Sequence, residues 1–305
     1  MSMNISFVYS QDTVFINTAI GLIKTSDKDV ENYKIFLDSL DKSDFNSINV
    51  ALKYFEKNLI NKGKLEKDIC ALMFELFYHS FSDIYIDENG KEVSYKTSID
   101  NIKRINDNLQ KFGLKVCKIP DGNSLFIIHI PEFLYNNFLN KVSKNLEEYF
   151  YLERLEKELW ELSYNTRDFD LYINTIEELL IRIEKYNEQI FEPLNKKFIN
   201  QFYAAYLFEY LNLNSNWEIG IDDVILGGEE QTLVEIYERF INENPNTVTS
   251  KILIEYNSFI KTNEGLPELN DLFFGYNKNI GIKEIRDDLD LNTIFLDFKK
   301  YMNSY

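Results

Sequence analysis

Side chains that carry chemistry are few and scattered in this chain. Its two histidines, His79 and His129, sit among apolar neighbours, one closing an apolar helical stretch and one inside Leu125–Ile130. That placement describes packed or edge imidazoles, not a general base with a nucleophile beside it. Two cysteines, Cys70 and Cys117, are too few for a disulfide framework or a cysteine-ligated zinc site. Neither the Gly-x-Gly-x-x-Gly nor the Gly-x4-Gly-Lys-Ser/Thr phosphate cradle occurs. No arginine precedes either histidine at the spacing of an Arg-x4–6-His ribonuclease motif. Asp297-Phe298-Lys299 has the acidic-x-Lys order of a metal-dependent nuclease, but Ile294, Phe295, Phe298 and Met302 fall on one helical stripe, so a terminal helix is expected there. Tyr203, Tyr206 and Tyr210 share helical spacing and belong to a core before a ligand pocket. No catalytic residue, metal ligand or cofactor is therefore expected.

Charge is more informative. The chain carries −17 overall, split as −3 over residues 1–135 and −14 over 136–305. Between Lys91 and Lys118 the balance reverses: seven cations (Lys91, Lys96, Lys103, Arg104, Lys111, Lys115, Lys118) face three anions (Glu92, Asp100, Asp107). After Lys197 no cation appears until Arg239, and the gap holds eight acids: Glu209, Glu218, Asp222, Asp223, Glu229, Glu230, Glu235 and Glu238. Their spacing does not match a calcium loop, in which ligands alternate along twelve residues. Hence they form an attraction surface for a basic partner, with Glu218, Asp222, Asp223, Glu229, Glu230 and Glu235 its expected contact residues. Glu229 and Glu230 also suit the positive end of a helix beginning at that point.

These residues must be positioned by a largely helical framework. With 45% hydrophobic and 15% aromatic residues the chain can build a sizeable core, and only 11 Gly and 5 Pro argue against disorder or a turn-rich sandwich. Ile5–Tyr9 and Thr13–Asn17 suggest two short strands. Apolar periodicity predicts helices over Val30–Leu40, Ser47–Leu59 and Lys64–Tyr78. Asn89-Gly90 predicts a hairpin over Asp83–Tyr95. A helix follows from Ser98 to Phe112, burying Ile99, Ile102, Ile105, Leu109 and Phe112 and closing on Gly113. Leu114–Ile119 and Leu125–Ile130 then form a second hairpin across Pro120–Asn123. Beyond residue 136 helices are expected at Leu139–Leu162, Phe169–Phe191, Asn195–Leu213, Glu229–Ile241, Thr247–Thr262, Pro267–Phe274 and Asn292–Asn303, with Trp217–Leu226 ambiguous or extended. Their uneven spacing excludes a fixed solenoid repeat. The expected class is α+β, predominantly α: a mixed domain over 1–135 and an irregular multi-helix array over 136–305.

The order of elements from about residue 47 to 131, three helices and then a hairpin, resembles that of winged helix-turn-helix domains. The resemblance implies a recognition helix at Ser98–Phe112 and a wing tip at Pro120–Asn123. Asn101, Lys103, Arg104, Asn108, Lys111 and Lys115 are then the expected nucleic-acid contacts, since arginine pairs with guanine, asparagine with adenine, and lysine with phosphate. The −17 net charge opposes such binding, because phosphate contacts dominate its affinity.

The first expectation for function is therefore a non-catalytic regulatory protein acting through a protein partner with a basic surface, of the inhibitor, immunity or defence-accessory kind. A winged-helix nucleic-acid-binding regulator is the second, and a metal-dependent enzyme or nuclease using the 209–238 acids the third. No basic leader precedes an apolar stretch, and no run of ~18 apolar residues occurs, so a cytoplasmic protein without a membrane span is expected.

Overall fold

The structure, a computed structural model, describes residues 28–81, 99–118, 125–162, 168–186, 196–213, 224–226, 229–231, 233–262, 269–277, 282–285 and 294–302. These residues fall into two compact units, 28–158 and 159–302. Both are predominantly helical, and the described residues include three two-stranded antiparallel hairpins. The expectations at Ile5–Tyr9, Thr13–Asn17, Asp83–Tyr95, Ser98 and Pro120–Asn123 lie outside the described residues.

The first unit opens with α1 (Lys28–Ser39), α2 (Asn46–Asn58) and α3 (Lys64–His79). Helix α3 is wrapped almost entirely, burying Ile69, Cys70, Leu72, Phe74, Phe77 and Tyr78, because α1 and α2 both pack on it. Helix α4 (Ile99–Leu109) continues as a 3-10 turn, Gln110–Phe112, into β1 (Leu114–Lys118), which pairs with β2 (Leu125–His129). Leu114 faces His129 and Val116 faces Ile127, so all four point to the buried side. Leu109 is buried, whereas Ile102, Ile105 and Phe112 are only half-buried. The helix thus covers the edge of the core and not its centre. A short helix, α5 (Glu132–Phe138), and a long one, α6 (Lys144–Glu161), follow. The expected single helix over Leu139–Leu162 starts only at Lys144, after Asn140 takes a φ of 61° that no helix accommodates.

The core of this unit is aromatic. Phe138 on α5 lies 5.1 Å from Phe55, 5.5 Å from Phe74 and 5.3 Å from Phe150, measured between ring centroids, and so joins α2, α3 and α6. Gly113 ends the 3-10 turn at φ 74°, and a Cβ there would stand 2.1 Å from the Phe133 ring. Gly113→Ala is therefore expected to destabilise this unit by ~1–3 kcal/mol, from left-handed strain plus overlap. A urea midpoint equal to that of the wild type would contradict this.

The second unit holds α7 (Phe169–Tyr186), α8 (Lys196–Leu211), α9 (Leu233–Glu243), α10 (Val248–Thr262), α11 (Asn270–Phe273) and α12 (Ile294–Met302). Its core includes five tyrosines whose hydroxyls find acceptors, Tyr172, Tyr203, Tyr210, Tyr237 and Tyr256. Tyr203 reaches Glu184 at 3.0 Å, Tyr237 the Tyr210 carbonyl at 2.8 Å and Tyr256 the Leu211 carbonyl at 3.0 Å. Tyr203, Tyr206 and Tyr210 all belong to this core. Two sequence expectations are corrected here. The helix expected over Glu229–Ile241 starts at Leu233, because Glu229–Gln231 is strand β4, paired with β3 (Val224–Leu226). In that pair Leu226 faces Glu229 and Val224 faces Gln231. Likewise Phe274–Asn277 is strand β5 paired with β6 (Ile282–Ile285), not a helix end. Among the described residues no helix is long and apolar enough to cross a membrane.

Candidate functional site

The densest set of ionisable side chains lies inside the first unit, between α3 and α6. On α3, Glu75 and His79 are one turn apart and share a face. On α6, Tyr149, Glu153 and Lys157 do the same at successive turns. Three contacts set the helices side by side. The Ser143 amide donates to Asp68 Oδ1 at 2.8 Å, the Tyr149 hydroxyl donates to Glu75 Oε1 at 2.9 Å, and His79 Nε2 lies 3.1 Å from Glu153 Oε1. Residue numbers rise together along this ladder, so the helices run parallel and the register that aligns one pair aligns the next. One turn beyond His79, Lys157 donates to Glu153 Oε1.

All of this is withdrawn from water. Glu75 is 0% exposed and Glu153 and Lys157 are 6% exposed, while the His79 side chain keeps 12%. The second histidine closes the cluster from β2. The His129 ring meets the His79 ring edge-on at 4.7 Å, and His129 Nε2–H donates to the Tyr78 carbonyl at 3.0 Å. The Tyr78 hydroxyl in turn donates to the Gly113 carbonyl, tying α3 to the start of the hairpin.

Burial raises the Glu75 carboxyl to about 8, with the Glu153 charge adding to the effect. Burial and the Lys157 charge press His79 downward, yet its two carboxylate neighbours outweigh them and lift it to about 9. Burial would raise Glu153 too, but Lys157 and His79 hold it well below the usual carboxylate range. Burial keeps His129 well below the ordinary imidazole value, with His79 and Lys157 adding to the effect. Near neutral pH the cluster therefore holds a protonated His79, an ionised Glu153 and a proton on Glu75, beside a neutral His129. Glu75 Oε2 and Glu153 Oε2 are buried without any hydrogen-bond partner. A group so arranged can store protons, or present imidazole nitrogen and carboxylate oxygens to a cation.

Sequence reasoning treated both histidines as packed and expected no ligand set here. Glu75/His79 and Glu153/Lys157 each stand four residues apart, which is a visible within-helix signal. What pairs the two helices is Asp68–Ser143 and Tyr149–Glu75, contacts 74 or more residues apart in sequence.

The expected nucleic-acid contacts share α4 and its continuation. Lys103, Arg104, Asn108 and Lys111 are exposed, Lys115 on β1 is half-buried, and Asn101 lies on the same helix. Lys111 Nζ stands 4.8 Å over the Phe112 ring. Asn106, on the inner side, fixes this helix to the strand edge. Its Oδ1 accepts the Val116 amide at 2.6 Å and its Nδ2 donates to the Val116 carbonyl at 3.1 Å.

The acidic segment is placed less uniformly. Glu209 accepts the Tyr172 hydroxyl, and burial raises its pKa. Glu238 pairs with Lys261 at 2.6 Å. Glu235 is exposed on α9, and Glu229 and Glu230 belong to β4. Glu218, Asp222 and Asp223 lie outside the described residues. Comparison with known proteins finds no matching family model, no matching curated protein and no matching solved structure.

Proposed function

We propose that this chain is a binding protein whose first unit docks a nucleic-acid backbone on the outer face of α4. One observation carries the proposal: Lys103 and Arg104 on α4 and Lys111 on its 3-10 continuation are all exposed, with no ion pair to a carboxylate among the described residues. Two other cations of the unit are paired, Lys62 with Asp29 and Lys141 with Glu56. The Asn106 clamp on Val116 supports the same conclusion, since a helix fixed to a hairpin loses little entropy on docking. The winged-helix resemblance of the sequence would place such a helix in the major groove.

The test is fluorescence anisotropy of a ~25-bp duplex with the full chain at low salt. Arg104→Ala with Lys111→Ala is expected to weaken binding at least about tenfold and to lower the slope of log K against log salt by about 2, one per lost phosphate contact. Absence of binding by the wild type at low salt would exclude this function.

A second function, docking of a basic protein partner on the 209–238 acids, retains support from Glu235, whose carboxylate-bearing face of α9 is exposed. Charge reversal of Glu235 should then slow association with that partner, as a rim charge does.

A further inference from the structure

We propose that Glu75, His79 and Glu153 bind one first-row divalent metal ion, zinc being the reference case, through His79 Nε2 and one oxygen of each carboxylate.

Geometry is the first support. A tetrahedral ion with bonds of about 2.0–2.2 Å holds its ligand atoms about 3.4 Å apart. His79 Nε2 stands 3.1 Å from Glu153 Oε1 and 3.7 Å from Glu75 Oε1, and one donor atom from each of the three residues lies within 4.8 Å of the others. Those oxygens also accept from Tyr149 and Lys157, so binding requires each carboxylate to turn about its terminal torsion and present Oε2 to the ion.

The second support is independent of the cluster's composition. Each buried carboxylate spends one oxygen on a neighbour and leaves the other bare. Glu75 Oε1 is held by Tyr149 and Oε2 has no partner; Glu153 Oε1 is held by Lys157 and Oε2 has no partner. Two buried carboxylate oxygens without a hydrogen-bond partner are costly, and a metal ion that displaces the Glu75 and His79 protons would satisfy both. The held oxygens act as a second shell, orienting each ligand without occupying its free lone pairs. One imidazole among the ligands selects a transition ion over magnesium or calcium, which prefer oxygen alone. Three protein ligands leave a fourth position for water, and the partly exposed His79 edge gives the route in.

The experiment uses tag-free full-length chain, in which His79 and His129 are the only two imidazoles. With 15N-labelled histidine, one equivalent of Zn²⁺ is expected to remove the proton from His79 Nε2 and give a metal-bound nitrogen signal. His129 Nε2 is expected to keep the proton it gives to the Tyr78 carbonyl. Calorimetry should show one site, lost at least about a hundredfold in Glu75→Gln and in Glu153→Gln, variants that retain shape while weakening a ligand. The wild-type spectrum decides the question even where a variant does not fold. Unchanged His79 nitrogens at one equivalent of Zn²⁺, or an anomalous-scattering peak for Co²⁺ elsewhere in the chain, would overturn the proposal.

Discussion

Replacing Glu153 by alanine is expected to destabilise the first unit by about 3–5 kcal/mol. Its carboxylate is the common partner of His79 and Lys157, and all three are at least 88% withdrawn from solvent by side chain. Removing it leaves the Lys157 ammonium without its carboxylate in a low-dielectric interior. The desolvation of Lys157 is then uncompensated, and the attraction that held His79 protonated is gone. A double variant, Glu153→Leu with Lys157→Leu, removes both members and should recover most of the loss, because a hydrophobic pair of similar volume needs no solvation. The measurement is hydrogen exchange at amides of α3 and α6 under native conditions, which reads this unit separately from residues 159–302. A loss below ~1 kcal/mol in Glu153→Ala would mean that water reaches the pair and screens it.

The chain's helices are legible in its sequence where apolar spacing is strong and the ends are marked. The stretch Lys64–Tyr78 differs from α3 by one residue, because Ile69, Leu72, Phe74 and Phe77 leave only one face for solvent. Gly113 is readable as a helix terminator because only glycine takes φ 74° without strain. Shorter elements are less legible. Strands of three or four residues, such as Glu229–Gln231 and Phe274–Asn277, are too brief to show a period of two, and adjoining helical stretches absorb them by eye. The buried cluster is hidden for a different reason. Glu75 and Glu153 look like two solvated helix acids among 50, and only tertiary pairing makes them interior. The same applies to Glu209, whose neighbours in sequence suggest a surface field while Tyr172 draws it inward. Charge patterns therefore identify candidates for an exposed face, but the fold decides which of them face water.

In the metal-free chain that cluster also makes stability depend on pH with a definite sign. His79 titrates at about 9 in the fold against about 6.5 in the unfolded chain. Its contribution is complete below pH ~6.5 and is lost as pH rises through 9. Glu75, raised to about 8 by burial and then by Glu153, acts in the same direction: the folded form holds a proton that the unfolded carboxyl has already released above pH ~4.5. Glu153 and His129 act oppositely. Both are held below their ordinary values, so their contributions are present above the unfolded pKa and vanish as pH falls. The first unit should accordingly be most stable in mildly acidic solution. Between pH 6.5 and 8 it releases between one and two protons on unfolding, which corresponds to a fall of about 1.4 to 2.7 kcal/mol per pH unit. Glu75→Gln with His79→Gln keeps the side-chain volumes and removes both protons, so it isolates their part from every other titrating group. The wild type minus this variant should show the downward slope in α3 and α6 exchange free energies, with the variant nearly flat over the same interval. A wild type whose stability rises from pH 6.5 to 8, or a variant with an unchanged slope, would show that His79 and Glu75 exchange protons with water as ordinary surface groups do.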